Sequence, residues 1–574
     1  MKKIFIIMFA GILLSSCVDT VILPYSKTTD ENYWKTKDEV SSVVAKAYLN
    51  MTDATFMRNL IVWSDFRSDE FTYTDNITEG LRDALVEMYT QNTQPTNTFT
   101  SWGALYTTIN YCNIVLEKAE QTLSVDPAYT EGDYQAHRSQ VLALRSLCYF
   151  YLVRVFRDVP LTAGAYMSNA QEMEIAQSDP NTVLQYCIDG LLEAEPNAMT
   201  ADAYTGTNAW RNYGYITKDG IWAILADIYL WRASVNHSLE DYKQAIVYCD
   251  KVLESKKNQH VRYDWEVEDE ANPYNLYDYQ DYYSQIFGDQ NSEESIFELQ
   301  YNDNVSLCQM YHKFKNNNSG YGYLKVSGSY GNIGSNNVFI KESDMRLWES
   351  IYDANTSADN YDVRKMVSQS GRLGSMTKES RTSRTYSGYS QNWIVYRITD
   401  VLLMKAEAMM SAYMLENGFK DGTEIKEGDY TRQQVFNIVQ YVNSRSIPTT
   451  NLADDSLKWS TYQKYDMERL VLEERARELC FEGKRWFDLM RYNYRHVDGV
   501  NYNKILADQS AFVENYDPML SLVVRKYSSG ASSMKVRIPT EPYLYMPIND
   551  AEKKVNSKLK QNPVYSTNET TARN

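Results

Sequence analysis

Residues 473–490 read Glu473-Glu474-Arg475-Ala476-Arg477-Glu478-Leu479-Cys480-Phe481-Glu482-Gly483-Lys484-Arg485-Trp486-Phe487-Asp488-Leu489-Met490. Helix-like apolar positions alternate here with charges of both signs. Two chemistries could use such a carboxylate density. A di-iron site in a helical bundle needs Glu-x-x-His pairs, and this stretch holds no histidine. An ion-paired helix needs only opposite charges three or four residues apart. We therefore read one helix from Tyr465 to Met490 carrying a structural ion-pair network. Glu473 with Arg477 (i,i+4) and Glu482 with Arg485 (i,i+3) are the expected pairs.

Working outward, the same 3.6-residue periodicity marks further helices. Val40, Val43, Val44, Ala47 and Tyr48 form a stripe within Lys37 to Asn50. Trp102, Leu105, Tyr106, Ile109 and Ile114 form a second. Val141, Leu144, Leu147, Cys148, Tyr151, Leu152 and Val155 form a third, stopped at Asp158-Val159-Pro160 because proline ends a helix. Val183 to Ala194 is a fourth, ended by Pro196. Tyr396 to Met410 and Arg432 to Val442 complete the set. Thr217 to Ser255 carries the clearest repeat signal. Its first half places Ala226 three residues before Tyr229. Its second half, Asp241 to Glu254, resembles the second helix of a tetratricopeptide repeat, with Ala245 as the small residue that lets two helices approach. The connecting segment Ala233 to Leu239 is longer than that repeat allows, so we expect degenerate helical pairs acting as a scaffold.

Periodicity disappears between about Gln259 and Trp393. Gly320-Tyr321-Gly322-Tyr323, Ser327-Gly328-Ser329-Tyr330-Gly331 and many Asn and Asp residues indicate loops and short strands. Disordered segments are poor in aromatics, yet this one is rich in tyrosine, so we expect an ordered, loop-built subdomain. The whole chain has 48 Tyr against 17 Phe. Phe would serve a core as well. The excess suggests rings at partly wet positions, where an apolar face and a hydroxyl are both useful. Tyrosines between helices account for many of them.

The 574-residue chain has a net charge of −17 and 43% hydrophobic residues, enough for a large core. The acidic balance argues against nucleic acid, which needs a basic footprint, and against docking on anionic lipid. No segment after the N-terminus is apolar enough to span a membrane. No CxxC or HExxH occurs, so there is no transition-metal signature. Cys112, Cys148, Cys187, Cys249, Cys308 and Cys480 sit mostly in helix-like patterns, where free cysteine acts as a small hydrophobe. No G-x-S-x-G element appears, and nothing singles out a glycosidase carboxylate pair, whose identifying separation is a structural quantity. At the N-terminus, Lys2-Lys3 precede an apolar run from Ile4 to Leu14, too short to span a bilayer, and then Leu14-Ser15-Ser16-Cys17. This resembles a bacterial lipobox, with cleavage before Cys17 and diacylglycerol on its sulfur.

Taken in order, these segments resemble the RagB/SusD family of outer-membrane lipoproteins from Bacteroidetes. Trp102 to Asn113 resembles its W-x-x-x-Y-x-x-I-x-x-x-N element. Leu144-Arg145 through Phe156-Arg157-Asp158-Val159-Pro160-Leu161 resembles L-R-A…F-G-D-V-P-L, with Ser146 for Ala and Arg157 for Gly. Tyr396 to Ala408 resembles Y-R-x-A-D-x-L-L-x-x-A-E-A, and Glu474 to Leu489 the strongest block. Met546-Pro547-Ile548 and Gln561-Asn562-Pro563-Val564-Tyr565 resemble P-I-P…Q-N-P-G-Y, with Val564 for Gly.

The resemblance implies a mostly α-helical fold of degenerate tetratricopeptide-like pairs with an irregular, loop-rich ligand-binding subdomain. We divide the chain into signal peptide 1–16, lipid-anchored tether 17–36, helical region 37–258, ligand-binding subdomain 259–395, and C-terminal helical region with closing segment 396–574. The resemblance implies no catalysis, and we name no metal ligand and no cofactor. It implies a lipoprotein anchored in the outer membrane through acylated Cys17 and exposed on the cell surface. Its partners would be a glycan and a SusC-like TonB-dependent outer-membrane transporter, to which it delivers captured oligosaccharide or polysaccharide. Peptide capture with the same transporter is the alternative, and a tetratricopeptide-type protein scaffold a third reading. In the family the site lies before the W-x-x-x-Y helix and in the irregular subdomain, here 63–99 and roughly 301–348. The first offers Asp65, Asp69, Tyr73, Asp75, Arg82, Tyr89 and Asn97; the second Tyr301, Tyr311, Tyr321 and Tyr323. Of these we take Asp69, Tyr73, Arg82, Tyr89, Asn97, Tyr301, Tyr321 and Tyr323 as ligand-binding candidates. Trp63 and Trp348 read as packing residues.

Overall fold

A computed structural model of the chain describes residues 33–74, 77–168, 171, 174–263, 272–301, 314, 322–352, 361–367, 391–417, 430–463, 466–496, 519, 522–527, 537–538 and 541–565. Cys17, Asp75, Cys308, Tyr311 and Tyr321 lie outside the described residues. No helix among those described is long and apolar enough to cross a membrane.

The first helix, α1 (Lys37–Asn50), starts where its sequence says it should. Thr36 and Glu39 form a reciprocal capping box, each side chain accepting from the other's backbone N–H. α2 (Ala54–Ile61) is capped by Asp53 and runs into a π-helical turn, Val62–Phe66. Then come β1 (Phe71–Tyr73), α3 (Glu79–Tyr89), α4 (Gly103–Thr122) and α5 (Glu131–Phe156). α6 (Pro180–Ala194) has proline in its first turn, where the missing N–H costs nothing. α7 (Lys218–Asn236) and α8 (Leu239–Tyr263) follow. Each of α4 to α8 packs on the next, α1 packs on α4, and α8 packs on α9 (Ile398–Glu416).

α7 and α8 are joined through His237 and Ser238 alone, with His237 in the left-handed conformation that ends a helix sharply. The link expected to be overlong is therefore short, because α7 continues to Asn236. Ala245 on α8 is 1% exposed. Two helices lie deep in the molecule. Every residue of α5 from Ser139 to Phe156 is buried, and every residue of α9 from Ile398 to Met414 except Lys405. Helices that are covered all round are central ones.

The region of lost periodicity contributes strands to this body. β2 (Ser295–Leu299) pairs antiparallel with β4 (Trp393–Arg397), which leads straight into α9. β3 (Leu324–Val326) pairs antiparallel with β1. Phe314, Leu324, Tyr330 and Leu347 join the same hydrophobic core as the helices. The five described cysteines, Cys112, Cys148, Cys187, Cys249 and Cys480, are buried and unpaired.

The opening stretch is two helices, not one. α10 (Arg432–Ser444) precedes α11 (Met467–Glu478), and α12 spans Arg485–Arg495. Between α11 and α12 the backbone turns through positive φ at Phe481 (65°) and Gly483 (77°). The turn is held from outside: Glu70 Oε1 accepts from Phe481 N at 3.2 Å and Asp65 Oδ2 from Gly483 N at 2.8 Å. Gly483 is required, since a Cβ there would sit 3.0 Å from the Trp393 ring.

This break reassigns the expected ion pairs. Glu473 pairs with Arg469, and Arg477 with Glu474. Glu482, outside both helices, accepts from Arg397 and Lys365 rather than from Arg485. The network exists, but it is buried between elements rather than spread on one helix surface. Glu478 bonds Arg346, Arg397 and Arg445. Glu407 bonds Arg491 and Arg495, and Asp488 bonds Arg475 and Arg491. Burial alone would raise the Glu478 carboxyl, yet Arg445, Arg397 and Arg346 hold it well below its ordinary value.

Candidate functional site

The two stretches expected to bind ligand meet through one antiparallel ladder. β1 and β3 pair with Phe71 opposite Val326, Thr72 opposite Lys325 and Tyr73 opposite Leu324. Thr74 N extends the ladder by donating to Tyr323 O at 3.0 Å, and Thr74 Oγ1 donates to Gly322 O at 3.2 Å. Tyr73 and Tyr323 are thereby brought to one end of it.

Beside this ladder the rings form a continuous group. Tyr73 meets Tyr89 edge-on at 5.3 Å between centroids, and Tyr89 meets Tyr527 at 4.5 Å. The two last rings lock each other: Tyr527 Oη donates to Tyr89 O at 2.6 Å, and Tyr89 Oη to Lys526 O at 3.1 Å. Lys526 is buried beneath them, its Nζ 5.2 Å from the Tyr89 centroid and 5.4 Å from that of Tyr527. It donates to Phe66 O and Arg67 O, carbonyls at the end of the π-helical turn, where a cation is favoured. Burial lowers its ammonium to about 7. Burial also raises the Tyr89 phenol to about 12. Tyr73, Tyr89 and Tyr527 stay half-buried, so each keeps a wet face.

Tyr323 is 8% exposed, and its Oη has no hydrogen-bond partner among the described residues. A buried hydroxyl without a partner costs free energy. Arg82 is exposed on α3 two turns before Tyr89, on the same helix face.

The other candidates sit behind this face. Asp69 has no exposed surface; its carboxylate takes Arg485 Nε at 2.8 Å and Nη2 at 3.0 Å. Burial pushes its carboxyl up, but Arg485 outweighs this and leaves it below its ordinary value. Its backbone oxygen accepts from Ser327 and Ser329, which ties the segment before β1 to that after β3. Asn97 is buried too. It donates to Ala84 O and Glu87 and accepts from Phe99 N, fixing the turn between α3 and α4. Tyr301, also buried, directs its Oη to Thr52 O at 3.4 Å. Asp65 is fully buried beneath the 481–483 turn, and burial raises its carboxyl to about 7. Trp63 is buried and donates to Phe99 O, and Trp348 is half-buried and donates to Glu342 O.

Sequence reasoning missed Tyr527 and Lys526. They lie more than 430 positions from Tyr89 in the chain, and no periodic pattern marks them. A tyrosine preceded by lysine outside any helical stripe is the only local trace of their role.

Comparison with known proteins gives a consistent result. Residues 167–565 match the family model described as "SusD family", and residues 24–230 the one described as "Starch-binding associating with outer membrane". The chain is 23% identical over 519 residues to SusD-like protein P38 of Formosa agariphila, covering 85% of this chain and 90% of that protein. A solved SusD superfamily protein from Bacteroides vulgatus superposes with a TM-score of 0.64 at 18% identity, covering 93% of this chain and all of that one. NanU of Bacteroides fragilis superposes with a TM-score of 0.61 at 18% identity, covering 95% and 100%. At such identities the superpositions show a shared fold.

Proposed function

This chain belongs to the SusD family, and from that premise we propose that it is a cell-surface lipoprotein that binds glycan and passes it to a SusC-like TonB-dependent transporter in the outer membrane. It binds without cleaving. Acylated Cys17 anchors it, and residues 17–36 tether the body to the membrane. The family description that matches residues 24–230 supports the ligand class and the compartment.

The observation that carries the reading is the group of half-buried rings, Tyr73, Tyr89 and Tyr527, gathered at the end of the ladder that pairs two distant tyrosine-bearing segments. A pyranose offers a patch of C–H groups on its ring face and hydroxyls around its rim. Tyr73, Tyr89 and Tyr527 offer ring surface to the first. Exposed Arg82 offers donors to the second, and Tyr323 packs at the end of the ladder behind the rings. Because the rings are fixed by each other and by Lys526, little freedom is lost on binding. Tyr321 belongs to the proposed site by its position next to this ladder in the chain. Asp69, Asn97 and Tyr301 act behind it as supports.

The test is affinity electrophoresis of a soluble form lacking residues 1–17, through gels containing amylopectin, laminarin, mannan or polygalacturonate. Retardation by at least one polysaccharide, with no release of reducing ends, is expected. Retardation by none, with tight binding of peptides in calorimetry, would overturn the glycan reading. Independently, Cys17→Ala should shift the protein from the membrane to the soluble fraction; unchanged membrane partitioning would remove the anchor.

A further inference from the structure

A second aromatic group lies apart from the tyrosine face, in Tyr204-Thr205-Gly206-Thr207-Asn208-Ala209-Trp210-Arg211-Asn212-Tyr213-Gly214-Tyr215, between α6 and α7. The stretch has four aromatic residues and no carboxylate. Tyr, Trp, Asn, Gly and Arg are the residues that recognition loops favour, because rigid rings give contact area at low entropic cost. Trp210 is 39% exposed, more than any other tryptophan among the described residues. Part of an apolar ring is thus left open to water.

The loop is held by its own hydrogen bonds and packing. Asn212 clamps it by accepting from Tyr204 N at 2.9 Å and donating to Tyr204 O at 2.8 Å. A short helical turn, Arg211–Gly214, returns Gly214 N to Trp210 O at 2.8 Å. The indole lies over Gly214: a Cβ there would be 2.9 Å from two indole carbons and 2.6 Å from Gln300 Cγ. Only glycine allows that approach. Tyr215 supports the indole from the side at 5.8 Å.

Arg211 completes the group. Its guanidinium carbon is 5.6 Å from the Trp210 ring, 5.8 Å from Tyr204 and 5.9 Å from Tyr215. Rings are its only neighbours of this kind, for it makes no side-chain hydrogen bond or ion pair among the described residues, and its Nε is buried without a partner. A guanidinium carries five N–H donors in a fixed fork. One of them, on Nε, is buried without a partner, and the others stay free of protein partners among the described residues, available to ligand oxygens.

We propose that this loop is a second glycan-binding site, where the Trp210 face takes a pyranose ring and Arg211 donates to that sugar's oxygens. The proposal rests on the glycan reading of the chain and adds a second point of attachment on a different element. Two sites on one body would raise the apparent affinity for a long chain over that for a short oligosaccharide, since the second contact is intramolecular.

The experiment uses the same soluble form and the same four polysaccharide gels. Trp210→Ala should be retarded about fivefold more weakly than wild type, the size of one lost aromatic contact. Trp210→Phe, which keeps a ring over Gly214, should fall between them. Circular dichroism melts of both variants should match wild type. Equal retardation of all three proteins in a gel that retards wild type overturns the second site and leaves the glycan reading standing. If no gel retards wild type, the glycan reading itself falls and this inference falls with it. If Trp210→Ala loses its cooperative melt, retardation of Trp210→Phe decides: equal to wild type overturns the site, weaker supports it.

Discussion

The ion-paired core around α9, α11 and α12 and the tyrosine face at the β1–β3 ladder use the same ingredient, polar groups in poorly solvated surroundings, to opposite ends. In the core each charged group is met by several groups of opposite charge. Glu478 meets three arginines, Glu407 meets Arg491 and Arg495, and Arg475 meets Asp488 and Asp400. At the end of the β1–β3 ladder matching is looser: Tyr323 Oη has no partner among the described residues, and Tyr73, Tyr89 and Tyr527 keep a wet side. A charged group taken from water must be matched in full, because an unmatched one costs several kcal/mol. A phenol can be left partly unmatched for about 1–3 kcal/mol. The first arrangement holds the fold together; the second leaves ring surface open for the binding proposed above.

The sharpest way to break this contrast is to open the closed side. Glu478→Gln leaves Arg346, Arg397 and Arg445 facing one another without their shared carboxylate. We expect about 3–5 kcal/mol of destabilisation by urea unfolding, the penalty for half a buried pair. A loss below about 1 kcal/mol would show that the network is solvated after all.

The second break is by pH, and the two sides of the 479–484 turn should respond with opposite sign. Asp400, held near 2 by Lys484 and Arg475 against its burial, is a carboxylate whose folded value lies below its unfolded one. Its contribution is present above about pH 4 and lost as pH falls towards 2. Asp65 is reversed. Burial lifts it to about 7, and Glu70 beside it is lifted well above its ordinary value by burial and by Asp65. The facing groups are Gly483 N, Ser64 and Glu482 for Asp65, and Asp69, Cys480 and Phe481 N for Glu70. The folded state binds a proton here that the unfolded state releases, so stability falls as pH rises from about 4 to 7. Asp65→Asn should lessen that slope, leaving the part that buried Glu70 carries, and be more stable than wild type at pH 8 by roughly 2–3 kcal/mol. Parallel melting curves for the two proteins from pH 5 to 8 would sink this assignment.

These cases also show what was legible in the chain. Helix starts could be read because their causes are local: Thr36 with Glu39 and Thr431 with Gln434 form capping boxes three residues apart. The central helices could be read from periodicity and from the family blocks. The break after Glu478 could not, because the groups that stabilise it, Asp65 and Glu70, are over 400 positions away. The same distance misled the reading of Asp69. A carboxylate in a polar loop looks available for ligand until Arg485, 416 positions on, occupies it. The tyrosine excess suggested partly wet rings, as Tyr73, Tyr89 and Tyr527 are, but Tyr527 could be placed against Tyr89 only by the fold.

The open side is tested by a smaller effect. Tyr73→Ala removes a half-buried ring that contacts Tyr89 but carries no closed network. We expect glycan binding to weaken by about tenfold, near 1.4 kcal/mol, with the melting temperature nearly unchanged. Asp69→Asn should do the reverse, lowering stability by losing the Arg485 pair while touching affinity only through the ladder. If calorimetry ranks the two variants the other way, the assignment of support and contact is inverted.

The smallest expected effect lies at Arg157, where the family pattern has glycine. Asp158 N donates to Phe156 O at 3.1 Å around a residue at φ 69° and ψ −82°, which makes Arg157 the centre of a strained γ-turn. A side chain in that region costs about 1–3 kcal/mol. Its guanidinium returns part of that through Asp158 at 2.6 Å and Glu541 at 3.8 Å. Both pairs are partly exposed, and exposed pairs contribute about 0–1 kcal/mol. Glycine would relieve the strain but add about 0.5–1 kcal/mol of chain entropy to the unfolded state. The terms nearly cancel, with strain relief slightly ahead. Arg157→Gly should therefore be more stable than wild type by roughly 0.5 kcal/mol in urea, and glycan affinity should not change. A loss greater than about 1 kcal/mol would mean that the guanidinium, by holding Glu541 and the closing segment against α5, outweighs the turn it strains.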